Sequence, residues 1–105
     1  MLKDGSSTMT TRFMGSLENY GEASAVLVGA PMDYTCSFRP GARFGPQRIR
    51  QVSTGLEEYS VYLGRSLEEV SFFDSGDLDL PIGNVKESLD IIGKAAEEIL
   101  SDKKF

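Results

Sequence analysis

Two stretches of this 105-residue chain carry side chains whose types and spacing could do chemistry. The first runs Gly29-Ala-Pro-Met-Asp33-Tyr34-Thr-Cys36-Ser-Phe-Arg39-Pro-Gly-Ala-Arg43-Phe-Gly-Pro46-Gln-Arg48-Ile-Arg50. It gathers four arginines between Arg39 and Arg50, in a chain whose net charge is -5. Guanidinium groups near the start of a helix could bind an anion or a carboxylate. The preferred reading is plainer: Arg39 and Arg43 brace the loop through carbonyls or pair with Asp33, Asp74 or Asp77. The glycine spacing matches neither a dinucleotide fingerprint nor a phosphate-binding P-loop. The second stretch is Asp74-Ser-Gly-Asp77-Leu-Asp79, whose three carboxylates could hold a hard cation weakly. Its spacing fits no EF-hand and no second cluster accompanies it, so solvated loop charge is the better expectation. The chain contains no histidine. Cys36 therefore lacks a base to activate it for nucleophilic catalysis and reads as a loop-packing residue.

The elements that must position these side chains follow from hydrophobic pattern and punctuation. Ala23–Val28 is a short, nearly continuous apolar run ending at Gly29, the pattern of a strand covered on both faces. A long loop leads to Pro46, well placed at a helix start, and Ile49, Val52 and Leu56 then recur at helical spacing. Glu57–Arg65 reads as a connection holding Tyr59 and Tyr62. Val70–Asp74 reads as a second strand, with a loop over Ser75–Gly83. Asn84 and Glu87 form a capping signal for a helix over Val85–Leu100. Its apolar stripe is Val85, Leu89, Ile92, Ala96, Ile99 and Leu100, and Asp90 with Lys94 make a favourable pair on the wet side. Phe105 marks the opening of another strand. Strand, helix, strand, helix is the start of an open α/β sheet, and the crossover rule makes the two strands parallel. Two parallel strands are too few to be stable alone. Tyr59, Tyr62, Phe72 and Phe73 read as core or subunit contacts.

Composition narrows the class. Mild acidity argues against a nucleic-acid partner, because phosphate binding draws on surplus Lys and Arg. The longest apolar stretch, Ala23–Ala30, is too short to span a bilayer, and no membrane partner is expected. Residues 1–22 carry Lys3, Asp4, Arg12, Glu18 and Glu22 and read as an irregular N-terminal arm, not a secretory signal. A single cysteine fits a reducing cytoplasm.

The first stretch also carries a resemblance. Gly29-Ala-Pro-Met-Asp33 followed by Ser37-Phe-Arg39-Pro-Gly-Ala-Arg43-Phe-Gly-Pro46-x-x-Ile49-Arg50 resembles the opening motif of the arginase/agmatinase ureohydrolase family. Val52-Ser53-x-Gly55-Leu56-Glu57-Glu58-Tyr59-Ser60 and Phe72-Phe73-Asp74-Ser75-Gly76-Asp77 continue it in register. The match is closer to the agmatinase branch than to the arginase branch and spans residues 23–105. The resemblance implies the first portion of a parallel-sheet, three-layer arginase-like fold, with residues 23–105 forming the N-terminal part of an incomplete α/β domain. It implies a cytoplasmic homo-oligomer in which two Mn²⁺ ions activate a hydroxide that hydrolyses agmatine to putrescine and urea. Guanidinobutyrate or arginine is the alternative substrate, and a non-catalytic binding or assembly module is the alternative role. The family's metal ligands come from Gly-Gly-Glu/Asp-His, Asp-Ala-His-x-Asp and Ser-x-Asp-x-Asp-x-x-Asp-Pro stretches, and none occurs here. No catalytic or metal residue is therefore expected within this chain, which alone should be inactive. Asp33 and Tyr34 are expected to rim the substrate cleft. Arg39, Arg43 and Arg48 are expected to structure the loop, at least one through a charge-assisted hydrogen bond to Asp33.

Overall fold

The computed structural model describes Leu2, Lys3 and residues 11–105. The remainder of the expected arm, Met1 and residues 4–10, lies outside the described residues. Strand β1 is Ala25–Gly29, helix α1 is Gly45–Ser53, and a small hairpin pairs β2 (Tyr59–Ser60) with β3 (Arg65–Ser66). Strand β4 (Phe72–Asp77) and helix α2 (Val85–Ser101) complete the order. β1 and β4 pair in parallel, Ala25 opposite Phe72 and Leu27 opposite Asp74. The register then slips, so that Gly29 faces Asp77.

Helices lie on both faces of this two-stranded sheet. On one, Ala95 and Ile99 of α2 cluster with Leu2, Leu78, Val26 and Val28. On the other, α1 reaches β4 through Arg50, whose guanidinium bonds Asp74. Both sheet edges have company. Leu17 N donates to the Phe72 carbonyl at 2.8 Å, and Asp74 N donates to Ser16 Oγ at 2.8 Å, so the arm lies along the outer side of β4. Phe105 takes the outer edge of β1, donating to the Ser24 carbonyl at 2.9 Å and accepting from Val26 N at 2.8 Å. Aromatic edges fasten the arm further: Phe13 meets Phe72 and Tyr20 meets the fully buried Phe73, both edge-to-face.

Several local expectations need correction. The strand expected to end at Asp74 runs on to Asp77, so the expected loop loses its first three residues. α1 stops at Ser53, and Ile49, Val52 and Leu56 point outward while Arg50 and Ser53 are the buried positions. The α2 stripe holds at Ile92 and Ile99, which face the core, and is displaced elsewhere. Ser88, Ala95 and Ile99 are buried, whereas Leu89 and Leu100 are exposed. Ser88 and Ala95, both small, are two of the three buried positions of the helix. On its wet side the pair formed is Lys86 with Asp90, not Asp90 with Lys94. Within the expected connection, the hairpin turns at Gly64, whose φ of +63° is a left-handed conformation suited to glycine. Tyr59 and Tyr62 are exposed there, and Phe72 and Phe73 are buried.

Candidate functional site

The loops that follow β1 and β4 meet beyond the carboxyl ends of the two strands, where open α/β sheets place their ligands. Asp33 organises the first loop. Only 5% exposed, its carboxylate accepts from the backbone N–H of Gly41 at 2.8 Å and of Arg43 at 3.3 Å. The Arg43 guanidinium adds a charged contact at 3.3 Å. Burial pushes the Asp33 carboxyl up, but the two N–H groups and the guanidinium overcome this and hold it below the usual carboxylate range. Gly41 has a φ of +149° and Arg39 a φ of +42°, backbone conformations that residues other than glycine rarely adopt. Arg39 lies over the ring of Phe38, and Arg48 reaches Gln51 at 3.5 Å. Of the three arginines expected to structure the loop, Arg43 is the one that the fold brings to Asp33. Cys36, expected to pack within the loop, is exposed.

The carboxylates of the second stretch meet an arginine that the sequence did not assign to them. Arg50, 3% exposed, bonds Asp74 with Nε at 2.8 Å and Nη2 at 3.0 Å, and bonds Asp77 with Nη1 at 2.5 Å. Asp74 is fully buried and also accepts from Phe13 N at 2.8 Å and Gly76 N at 3.0 Å. Burial raises the Asp74 carboxyl, yet the Arg50 guanidinium and those N–H groups hold it low. Burial likewise disfavours charge on Arg50, and its two carboxylate partners restore it. Gly29 is part of the arrangement, since a Cβ there would lie 1.8 Å from Asp77 Oδ1. The register slip of β1 therefore occurs where the Asp77 side chain passes over the strand on its way to Arg50. The expectation that Asp74, Asp77 and Asp79 are solvated loop charge holds for Asp79 alone, which is exposed.

The cavity between the two strand-end loops has a volume of about 260 Å³ and is lined by Pro31, Asp33, Tyr34, Pro40, Arg43, Leu80 and Ile82. Its walls are largely apolar. Asp33 spends its oxygens on the loop, and the Tyr34 hydroxyl is hydrogen-bonded to Ser88 Oγ of α2. A larger cavity, about 340 Å³, lies between the arm and the β2–β3 hairpin, among Met14, Leu56, Leu63 and Leu67, away from the strand ends. Among the described residues no three His, Cys, Asp or Glu side chains are grouped so as to hold a metal ion. No helix among them is long and apolar enough to cross a membrane.

Known proteins share this arrangement. The family model described as "Arginase family" matches residues 23–105. The agmatinase of Bacillus subtilis is 55% identical over 93 residues, which cover 89% of this chain and 32% of that protein. The chain thus spans about a third of the length of the curated relatives it matches. Among solved structures, the agmatine ureohydrolase of Thermoplasma volcanium superposes with a TM-score of 0.83 at 28% identity, covering 90% of this chain and 32% of that one. The formiminoglutamase of Trypanosoma cruzi, solved with Mn²⁺, gives a TM-score of 0.71 over 90% of this chain and 34% of that one. At 22% identity this last likeness speaks for the fold. A parallel β1–β4 pair flanked by two helices, the Asp33–Arg43 loop above it and a family match over residues 23–105 lead to one conclusion: this chain belongs to the arginase family.

Proposed function

We propose that residues 23–105 form the N-terminal part of an agmatinase-like ureohydrolase, preceded by an arm over residues 1–22. In its complete form the enzyme would hydrolyse agmatine to putrescine and urea, as a cytoplasmic homo-oligomer that binds neither nucleic acid nor membrane. The observation that carries this reading is the walled cleft at the ends of two parallel strands. Its loop is fixed by Asp33 and Arg43 within a segment 55% identical to the Bacillus subtilis agmatinase.

A binuclear Mn²⁺ centre does not fit the residues present. The sequence has no histidine, and the two buried aspartates near the cleft are committed to other groups, Asp33 to Arg43 and Asp74 to Arg50. Ligands for such a centre would come from other parts of the complete hydrolase, and this segment would supply shape and charge. Asp33 and Tyr34 would rim the cleft by holding its wall, while Pro31, Leu80 and Ile82 offer apolar surface to the methylene chain of a guanidino substrate.

The test is a chimera in which residues 23–105 replace the corresponding stretch of the Bacillus subtilis agmatinase. Urea release is then followed with agmatine, guanidinobutyrate and arginine. Turnover of agmatine above the other two is the expected result. Preference for guanidinobutyrate or arginine would move the substrate assignment. A folded, Mn²⁺-loaded chimera that hydrolyses none of them would leave the binding-module reading in its place.

A further inference from the structure

We propose that Ser88 is a positioning residue for the cleft: its hydroxyl ties the loop after β1 and the loop after β4 to the first turns of α2, so that both walls are held as one body. The inference rests on the ureohydrolase reading for its catalytic consequence, but not for its geometry.

Ser88 is fully buried on the inward face of α2, where the helical pattern would otherwise call for an apolar side chain. Its Oγ is hydrogen-bonded to the Tyr34 hydroxyl, which belongs to the loop after β1. The same Oγ donates to the Pro81 carbonyl at 3.4 Å, in the loop after β4. Ser88 has a single hydroxyl proton. If that proton goes to Pro81, Tyr34 must be the donor in the first bond. The chain of donation then runs Tyr34 to Ser88 to Pro81, crossing from one wall of the cavity to the other through the helix. Tyr34 and residues on either side of Pro81, Leu80 and Ile82, all line that cavity. α2 itself is anchored by Asn84, whose side chain accepts from Glu87 N at 3.0 Å, and by Ala95 and Ile99 in the core. The hydroxyl therefore connects two loops to a helix that is capped and seated in the core. Asp33 fixes the far side of the first loop through Gly41 and Arg43, which leaves Tyr34 as that loop's tie to α2.

Two substitutions separate this role from general stability. Tyr34→Phe keeps the ring and removes only the hydroxyl, and Ser88→Ala suits a helix and removes the other half of the bond. Limited trypsin digestion of the full chain reads the loop directly at the Arg43–Phe44 bond, while Arg65 in the exposed hairpin serves as an internal reference. Each variant should speed cleavage after Arg43 by about three- to ten-fold, the weight of one hydrogen bond, with cleavage after Arg65 unchanged. The double variant should be no faster than the faster single one, because both remove the same contact. In the chimera described above, each variant should raise KM for the guanidino substrate several-fold and leave kcat within about twofold, the signature of lost ground-state positioning. Additive cleavage rates, or rates equal to the parent's, overturn the tie. Coupled cleavage with KM unmoved overturns the positioning role. A chimera without ureohydrolase activity overturns the functional reading instead, and the digestion still decides whether Ser88 holds the two loops.

Discussion

Removing one member of a buried ion pair costs more than the intact pair contributes, because the surviving charge stays out of reach of water. Arg50 is such a member, held between Asp74 and Asp77 at 3% exposure. Arg50→Met should lower the unfolding free energy by about 3–5 kcal/mol, read from the urea midpoint with an unchanged denaturant slope. Arg50→Lys should fall between the two proteins, since an ammonium cannot span Asp74 bidentately and still reach Asp77. A loss under about 1 kcal/mol for Arg50→Met would mean that water enters the cluster. Acid titration reads the same groups. Asp33 and Asp74 both sit below the usual carboxylate range in the folded chain. Their contribution is present above the unfolded carboxylate pKa, near about 4, and is lost as pH falls through the lower folded values. Stability should hold level from neutrality to about pH 5 and decline below about pH 4; a decline that begins near pH 6 would contradict the assignment. The Asp33–Arg43 pairing was legible in the sequence because both residues sit in one loop ten positions apart. Arg50 was hidden by its apolar neighbours Ile49 and Val52, which suggested a helix face turned the other way.

Element order and type were readable from apolar runs and capping residues, and the parallel pairing followed from chain connectivity. Boundaries and faces were less so. The β2–β3 hairpin has two residues per strand, too few for any periodicity to show. Apolar spacing alone does not reveal the full inward faces of α1 and α2, because the inward positions Arg50, Ser53 and Ser88 are polar residues with dedicated partners. The irregular arm gave no signal at all, yet its join to α2 is specific. Tyr20 donates to Asp102 at 2.7 Å and stacks edge-on against Phe73. Burial first, then the hydrogen bond to Asp102 and its charge, push the Tyr20 hydroxyl up to about 12. A raised acid group stabilises fully below its unfolded pKa, near about 10, and loses that contribution as pH climbs through the folded value. Thermal unfolding followed between pH 9 and 12 should therefore show the chain weakening across the upper end of that range. Tyr20→Phe should be less stable at neutrality by about 1–3 kcal/mol and should lose that alkaline dependence. An identical alkaline slope in the variant would place the dependence elsewhere.

At the scale of the molecule, the described residues make a two-stranded parallel sheet, fewer strands than independent stability ordinarily requires. The arm lies along the outer side of β4, while among the described residues the outer side of β1 meets only Phe105. Ile49, Val52, Leu89, Leu100 and Phe105 are exposed apolar side chains spread over both helices and that edge, with Leu56 just beyond α1. A partly filled edge beside apolar surface invites pairing with another chain. Lowering the pKa of a bound water to near neutrality needs a cation fixed by several ligands with one position open. Here the well-placed carboxylates are already neutralised by arginine, Asp79 is exposed, and imidazole is absent from the sequence. The 105-residue chain by itself should bind Mn²⁺ no better than an ordinary acidic surface, release no urea from agmatine, and self-associate as its concentration rises. Calorimetric titration with Mn²⁺, a urea assay and sedimentation velocity over a concentration series examine the three claims separately. A stoichiometric, tight Mn²⁺ site would show that the aspartates leave their arginines when a stronger cation is offered. A monomer at every concentration would show that Phe105 and the arm close the sheet more fully than their few hydrogen bonds suggest.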